Sequence, residues 1–216
     1  MKRLILFLLI SLAGFAQYVP VPFTKTGGGG GQVTLFSDTF SGTAGTVLHT
    51  YNSTNWIQGN GSFWNDCRIS TPNGGVTSAG GACGDYVTGY TWTSKQFVQA
   101  TLTNLPSDLA FICVQFDSSG NAYCAGDYPD ITSGYFIYKY TAGTSSQLVA
   151  CGGSPANGDV MNFSDVSGLL TLKVNGSEPG GSCHTTDSTF TTGNPGLIIQ
   201  QTSSTNILSV FSAGSD

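Results

Sequence analysis

Phe111-Ile112-Cys113-Val114-Gln115-Phe116, then Asp117-Ser118-Ser119-Gly120, then Asn121-Ala122-Tyr123-Cys124 is the stretch whose reading decides the fold. Two runs of strand-forming residues flank a group that favours turns. Asp and Ser bond their own backbone and Gly tolerates left-handed conformations, whereas Phe, Ile, Val and Tyr suit a pleated surface. With the turn centred between Ser118 and Ser119, Cys113 falls directly opposite Cys124. A non-hydrogen-bonded antiparallel pair lies within the span of a disulfide, so the same stretch predicts a Cys113–Cys124 bridge.

Outward from this hairpin, residues 96–102, 109–116, 135–140, 169–174, 196–200 and 207–211 also read as strands. No stretch keeps a 3.6-residue apolar period without Gly, Pro or β-branched interruption, and the 30 glycines weigh against long helices. Many short strands with frequent turns and no helices between them imply an all-β antiparallel sandwich or barrel. No fixed repeat supports a parallel β-helix.

At the N-terminus, Lys2 and Arg3 precede a mostly apolar run from Leu4 to Phe15, with Gly14 and Ala16 spaced as at a cleavage point. This order predicts a signal peptide over residues 1–16. The run falls short of the roughly 20 residues that span a bilayer, no second long apolar run follows, and a membrane span is not expected. Residues 17–32 hold Pro20, Pro22 and Gly27 to Gly31, an extended and then flexible tether. No Lys-Ser or Lys-Thr closes the glycine run as a phosphate loop requires. One domain, 33–216, remains.

Charged residues are only 9% of the chain and aromatics reach 12%, the composition of a folded protein with a neutral polar surface. Without Lys2 and Arg3, five basic residues face twelve acidic ones. Nucleic acid is excluded as a partner, because phosphate binding needs clustered Lys and Arg. Six cysteines in an exported chain predict disulfides rather than a metal site, and a secreted or cell-surface location. Short closures favour Cys67 with Cys83 and Cys151 with Cys183.

Phe36-Ser37-Asp38-Thr39-Phe40-Ser41-Gly42, Gly45-Thr46-Val47-Leu48 and Asn55-Trp56 resemble the first strand and loop of concanavalin A-like lectin/glucanase (LamG-like) domains. Gly168 to Gly176, Asn194-Pro195-Gly196-Leu197 and Ile207-Leu208-Ser209-Val210-Phe211 are similar to later strands and turns of the same superfamily. The resemblance spans about residues 33 to 212. It implies a two-sheet antiparallel jelly-roll sandwich with a concave face on which members bind or cut polysaccharide. Fold alone does not fix function.

Enzymes of that superfamily carry Glu-x-Asp-x-x-Glu on one strand, whereas the single glutamate here, Glu178, sits in the turn-like Ser177-Glu178-Pro179-Gly180. The family's catalytic motif is therefore absent, and no catalytic residue is assigned. Asp127-Tyr128-Pro129-Asp130 is the nearest carboxylate pair and reads first as a turn. An atypical hydrolase or lyase using these aspartates is the first rival function, and a structural surface protein the second. His49 and His184 have no partner at metal spacing, no Gly-x-Ser-x-Gly elbow is present, and no cofactor is required. Relatives of the resembled fold hold calcium near the chain ends, which makes Asp38 the candidate metal ligand.

Sugar recognition needs flat aromatic faces together with polar groups that read hydroxyls. Trp64, Tyr90, Trp92, Tyr128, Tyr135 and Tyr138 supply the aromatic stock. The alternation breaks at Ile137-Tyr138, which leaves open which tyrosines face outward. Trp64, Trp92, Asp127, Tyr128 and Asp130 are the expected exposed carbohydrate contacts, with a polysaccharide or glycan as partner. Asn52, Asn60, Asn162 and Asn175 begin Asn-x-Ser/Thr sequons.

Overall fold

The computed structural model describes residues 32–215 apart from 61, 71–73, 79–80, 107, 130–133 and 202–206. The expected signal peptide and nearly all of the tether thus lie outside the described residues. Among the described residues fifteen strands follow in chain order. They are β1 (Val33–Asp38), β2 (Trp56–Gln58), β3 (Cys67–Ile69), β4 (Val76–Ser78) and β5 (Ala82–Val87). Next come β6 (Lys95–Leu102), β7 (Leu109–Phe116), β8 (Ala122–Asp127), β9 (Tyr135–Thr141) and β10 (Thr144–Gly152). The last are β11 (Val160–Val166), β12 (Leu169–Val174), β13 (His184–Thr186), β14 (Asn194–Gln200) and β15 (Leu208–Ser215). One helical turn, α1 (Leu48–Tyr51), and a 3₁₀ turn at Pro179–Gly181 complete the described elements.

The strands form two open sheets, and every pairing between them is antiparallel. One sheet runs β13-β12-β11-β6-β15-β4-β3 with β1 added beside β15, and the other runs β10-β9-β8-β7-β14-β5-β2. The β7–β8 hairpin sits mid-sheet with Cys113 opposite Cys124, as its turn chemistry requires. Asp117 Oδ1 accepts from the Ser119 and Asn121 amides and Oδ2 from Asn121 Nδ2, so one side chain closes the turn.

Between the sheets lies the main core, which includes Phe40, Trp56, Ile112, Phe163, Leu170, Ile199 and Phe211, all fully buried. Asp38 anchors its N-terminal corner. Its carboxylate accepts from Trp56 Nε1 at 2.8 Å, the Phe40 amide at 2.7 Å and the Tyr51 hydroxyl at 3.3 Å. The remaining cysteines pair as Cys67–Cys83 and Cys151–Cys183. The first joins β3 to β5 and so ties one sheet to the other, while the second joins β10 to the residue before β13. Each such closure stabilises by about 2–4 kcal/mol, chiefly by constraining the unfolded chain.

One irregularity matters for the site. Gln115 has φ +56°, and both it and Val114 turn toward the interior, after which Phe116 swings to the opposite face. Gln115 Nε2 donates to Asp165 Oδ2 on β11, and Gln96 Nε2 donates to Gln115 Oε1 and to the Gly193 carbonyl. A Cβ at Gly193 would stand 2.3 Å from Gln115. The bulge therefore needs both a paid-up polar network inside and a glycine beside it.

Candidate functional site

Alternation along the seven-stranded sheet sends side chains to two faces. Cys83, Val87, Ala110, Ile112, Val114, Tyr123, Ala125, Tyr135, Ile137, Leu197 and Ile199 point into the interlayer core. The intervening positions, Tyr86, Leu109, Phe111, Cys113, Ala122, Cys124, Phe136, Tyr138, Tyr140 and Ile198, form a second apolar cluster on the outer face, joined there by Phe116. Trp64 covers this cluster and Tyr128 packs at its margin. No outward position on β5, β7, β8, β9 or β14 is Asp or Glu.

The outer face has two halves. In one, Phe111 stacks on Tyr138 with ring centroids 5.4 Å apart and planes at 30°, and Tyr128 lies 6.0 and 5.7 Å from the same two rings. Tyr128 is half-buried, and the Tyr138 hydroxyl donates to Gln147 Oε1 on the exposed strand β10. In the other half Trp64 lies 5.2 Å from Tyr140 and 6.3 Å from Phe116, and Tyr86 is 5.6 Å from Phe116. Burial raises the Tyr140 phenol well above its ordinary pKa, with Tyr128, Tyr138 and Asp108 adding to the effect. Tyr138 is raised by burial and then by Tyr128, and Tyr86 by burial and then by Asp117. These hydroxyls stay neutral and can both donate and accept.

The five expected contacts separate in the structure. Tyr128 lies on the outer face. Trp64 lies there too, yet it is 5% exposed, so it is a cover and not the exposed contact expected of it. Trp92 is on neither half: it packs against the interlayer core and Tyr90, and donates Nε1 to the Val87 carbonyl. Asp127 is corrected outright. Its register opposite Ala110 and Tyr135 puts the carboxylate inside, where it is 2% exposed and Oδ1 has no hydrogen-bond partner. Burial pushes its pKa up to about 7, against the pull of the Tyr128 amide. Asp130 lies outside the described residues.

Sequence reasoning passed over Tyr86, Phe111, Phe116, Tyr140 and Gln147 as site residues and left Tyr138 undecided. Unbroken alternation through 135–140 was the available signal, since Phe136, Tyr138 and Tyr140 all face outward and Tyr135 and Ile137 inward. Asp38 has both carboxylate oxygens engaged by protein donors. Among the described residues no three His, Cys, Asp or Glu side chains gather as a metal site. Glu178 accepts from the Cys183 amide and pairs with His184 Nδ1 at 2.7 Å, and His49 Nδ1 stands 3.8 Å from Asp66. No described helix is long and apolar enough to cross a membrane.

The architecture is that of a two-sheet antiparallel jelly-roll sandwich. It is similar to carbohydrate binding module CBM66 from Bacillus subtilis, with a TM-score of 0.54 and 13% identity over 75% of this chain and 96% of that one. Weaker likenesses include the VIP36 exoplasmic/lumenal domain in a Ca2+/Man3GlcNAc-bound form (TM-score 0.49, 10% identity, 84% of this chain and 90% of that one). Another is an immunostimulatory antigen and pseudo β-1,3-glucanase of Mycobacterium tuberculosis (TM-score 0.45, 11% identity, 85% and 99%). No protein-family model and no curated relative matches the sequence.

Proposed function

We propose that this chain is an exported carbohydrate-binding module that holds a polysaccharide against the outer face of its seven-stranded sheet. The observation that carries the reading is the composition of that face: aromatic rings with hydroxyl and amide groups at their margin, and no Asp or Glu on the outward strand positions. Half-buried Tyr128 and exposed Gln147 are the contacts it offers first, with stacking on the Tyr128 ring and hydrogen bonds to Gln147. Retaining or inverting hydrolysis needs two carboxyl groups about 5 to 10 Å apart across the sugar. Asp127, the candidate for that chemistry, faces the opposite way. Three disulfides fit an oxidising compartment, and the fold shared with a carbohydrate binding module supports the same ligand class.

Pull-down on insoluble β-1,3-glucan, arabinan and mannan tests this. Retention on at least one polymer is expected, falling about 5- to 30-fold in Tyr128→Ala, the loss of roughly 1–2 kcal/mol of stacking. Absence of retention on every polymer, or reducing-end release abolished by Asp127→Asn, would overturn it.

A further inference from the structure

The ends of the two sheets are not equally guarded. Strands β2, β3 and β13 close three of them with three residues each, too short to template another strand. Strand β1, beside β15, has six residues, but a bulge between Thr34 and Phe36 breaks its register and Asp38 ends it. The remaining end is β10, nine residues long, and Thr144 to Gly152 contain no Lys, Arg, Asp, Glu or Pro. Charge and proline are the usual means by which an edge refuses a partner. Among the described residues no strand pairs with the far side of β10.

The strand divides into two parts. Its second half is disturbed: register shifts fall between Gln147 and Val149 and between Ala150 and Gly152, and the Gly180 backbone lies against the Cys151 carbonyl. Its first half is regular. Thr144, Ser145, Ser146 and Gln147 pair in step with Thr141, Tyr140, Lys139 and Tyr138, and all four are exposed. Their hydroxyl and amide groups can donate as well as accept, so the same strand turned antiparallel to itself meets a matching partner at every position. The chain carries a formal net charge of −5, and two copies repel least where they meet through an uncharged strand.

We propose that Thr144–Gln147 pairs with the same segment of a second copy of this chain, joining two seven-stranded sheets edge to edge. Symmetry fixes the rest. The two-fold axis that sets a strand antiparallel to its copy within one sheet is normal to that sheet, so the outer faces of both copies point the same way. One residue then stands opposite its own copy at the axis, because residues facing each other across an antiparallel pair share a face. Ser145 shares the outer face with Gln147, opposite Tyr140. With the axis at Ser145 or Ser146, Ser145 lies directly opposite its counterpart or diagonal to it. The pairing does not depend on what the outer face binds.

Sedimentation velocity of the full chain as its host processes it, from about 5 to about 500 μM, tests the pairing, with amide hydrogen exchange over residues 144–147 measured at both ends of that range. The native weight-average mass should rise from one chain toward two, as a small interface allows, while exchange over 144–147 slows about fivefold. Ser145→Lys and Ser145→Glu should each stay monomeric, with Tm within about 3 °C of the native value. An equimolar mixture of these two variants should dimerise again, because opposite charges then meet across the edge. Native protein that remains monomeric throughout would leave this edge to a strand from another protein and overturn the proposal. So would a mixture that stays monomeric. Dimers that persist in both charged variants, or that form with no change in exchange over 144–147, are held by another surface and overturn it as well.

Discussion

The two faces of the seven-stranded sheet bury aromatic rings for different reasons. Its inner face lies against another sheet, so Trp56 is enclosed against Phe211 of that sheet, 5.1 Å away, and its Nε1 is satisfied by Asp38. On its outer face Trp64 packs on Tyr140 and Phe116, and its indole N–H has no acceptor among the described residues. Close packing with the indole N–H paired fixes Trp56 in the core, whereas Trp64 is packed on the outer-face rings with its indole N–H unpaired.

Trp56→Ala should expose the largest contrast. It removes a fully buried ring and strands the Asp38 carboxylate, so denaturant unfolding should show a loss of about 4–5 kcal/mol. Tyr138→Ala on the outer face should cost about 2 kcal/mol while reducing glycan retention more than any inner-face substitution that still folds. Equal stability losses from the two would erase the distinction drawn between the faces.

Disulfide removal sharpens the comparison next. The Cys151–Cys183 closure spans 32 residues and Cys113–Cys124 only 11 within one hairpin. Double replacement by Ala should cost about 4 kcal/mol for the first and about 3 kcal/mol for the second, from loop-closure entropy. A larger loss from the hairpin pair would mean that the outer face contributes more to the folded state than its loop cover suggests.

The inner face also carries two aspartates, and pH addresses them. Asp127 has a folded pKa of about 7, above the ordinary value near 4 of the unfolded chain, so the folded state keeps a proton the unfolded state has lost between those values. Its contribution to stability is present in full below about pH 4 and is lost as pH rises toward 7, by at most about 4 kcal/mol. Asp85 acts in the same direction: burial raises it well above the usual range, with Asp66 adding repulsion against a weaker pull from the Cys67 amide. Asp187 runs the other way. Burial alone would raise it, but hydrogen bonds from Lys139, Thr189 and Tyr123 hold it low, so its stabilisation fades as pH falls below about 4. Asp127→Asn should therefore unfold at higher denaturant than the native chain at pH 8 and show a flatter profile between pH 4 and 7. An unchanged slope would show that Asp127 is solvated and belongs to the outer face after all.

The smallest effect expected is that of chelation. With both Asp38 oxygens bonded to Trp56, Phe40 and Tyr51, EDTA should shift Tm by less than about 1 °C and leave retention on polysaccharide unchanged. A larger shift would restore calcium to the N-terminal corner.

Much of the fold was legible in local chemistry. The Asp117–Asn121 turn set the β7–β8 register, and with it the Cys113–Cys124 pair. Predicted strands at 96–102, 109–116 and 169–174 fall on β6, β7 and β12. Strands β10 and β11 were not expected. The first is a solvated edge that opens Thr-Ser-Ser-Gln, and the second places Asp165 at an interior position where Gln115 meets it. Neither looks like a buried strand in a window of sequence, because a neighbour from another strand supplies what the window lacks.

The sequence by itself determined that side chains alternate, where the chain turns and which thiols lie close enough to pair, since these follow from two-residue periodicity, turn residues and short closures. Only the tertiary structure decided which face each residue joins. Asp127 and Tyr128 are neighbours, yet one points inward and the other packs at the margin of the outer face. Phe116 reaches that face only because the bulge at Gln115, held by Gln96, Asp165 and the space at Gly193, shifts the alternation by one. A shift of one residue reverses every side chain beyond it, and the partners that impose it come from strands far away in the sequence.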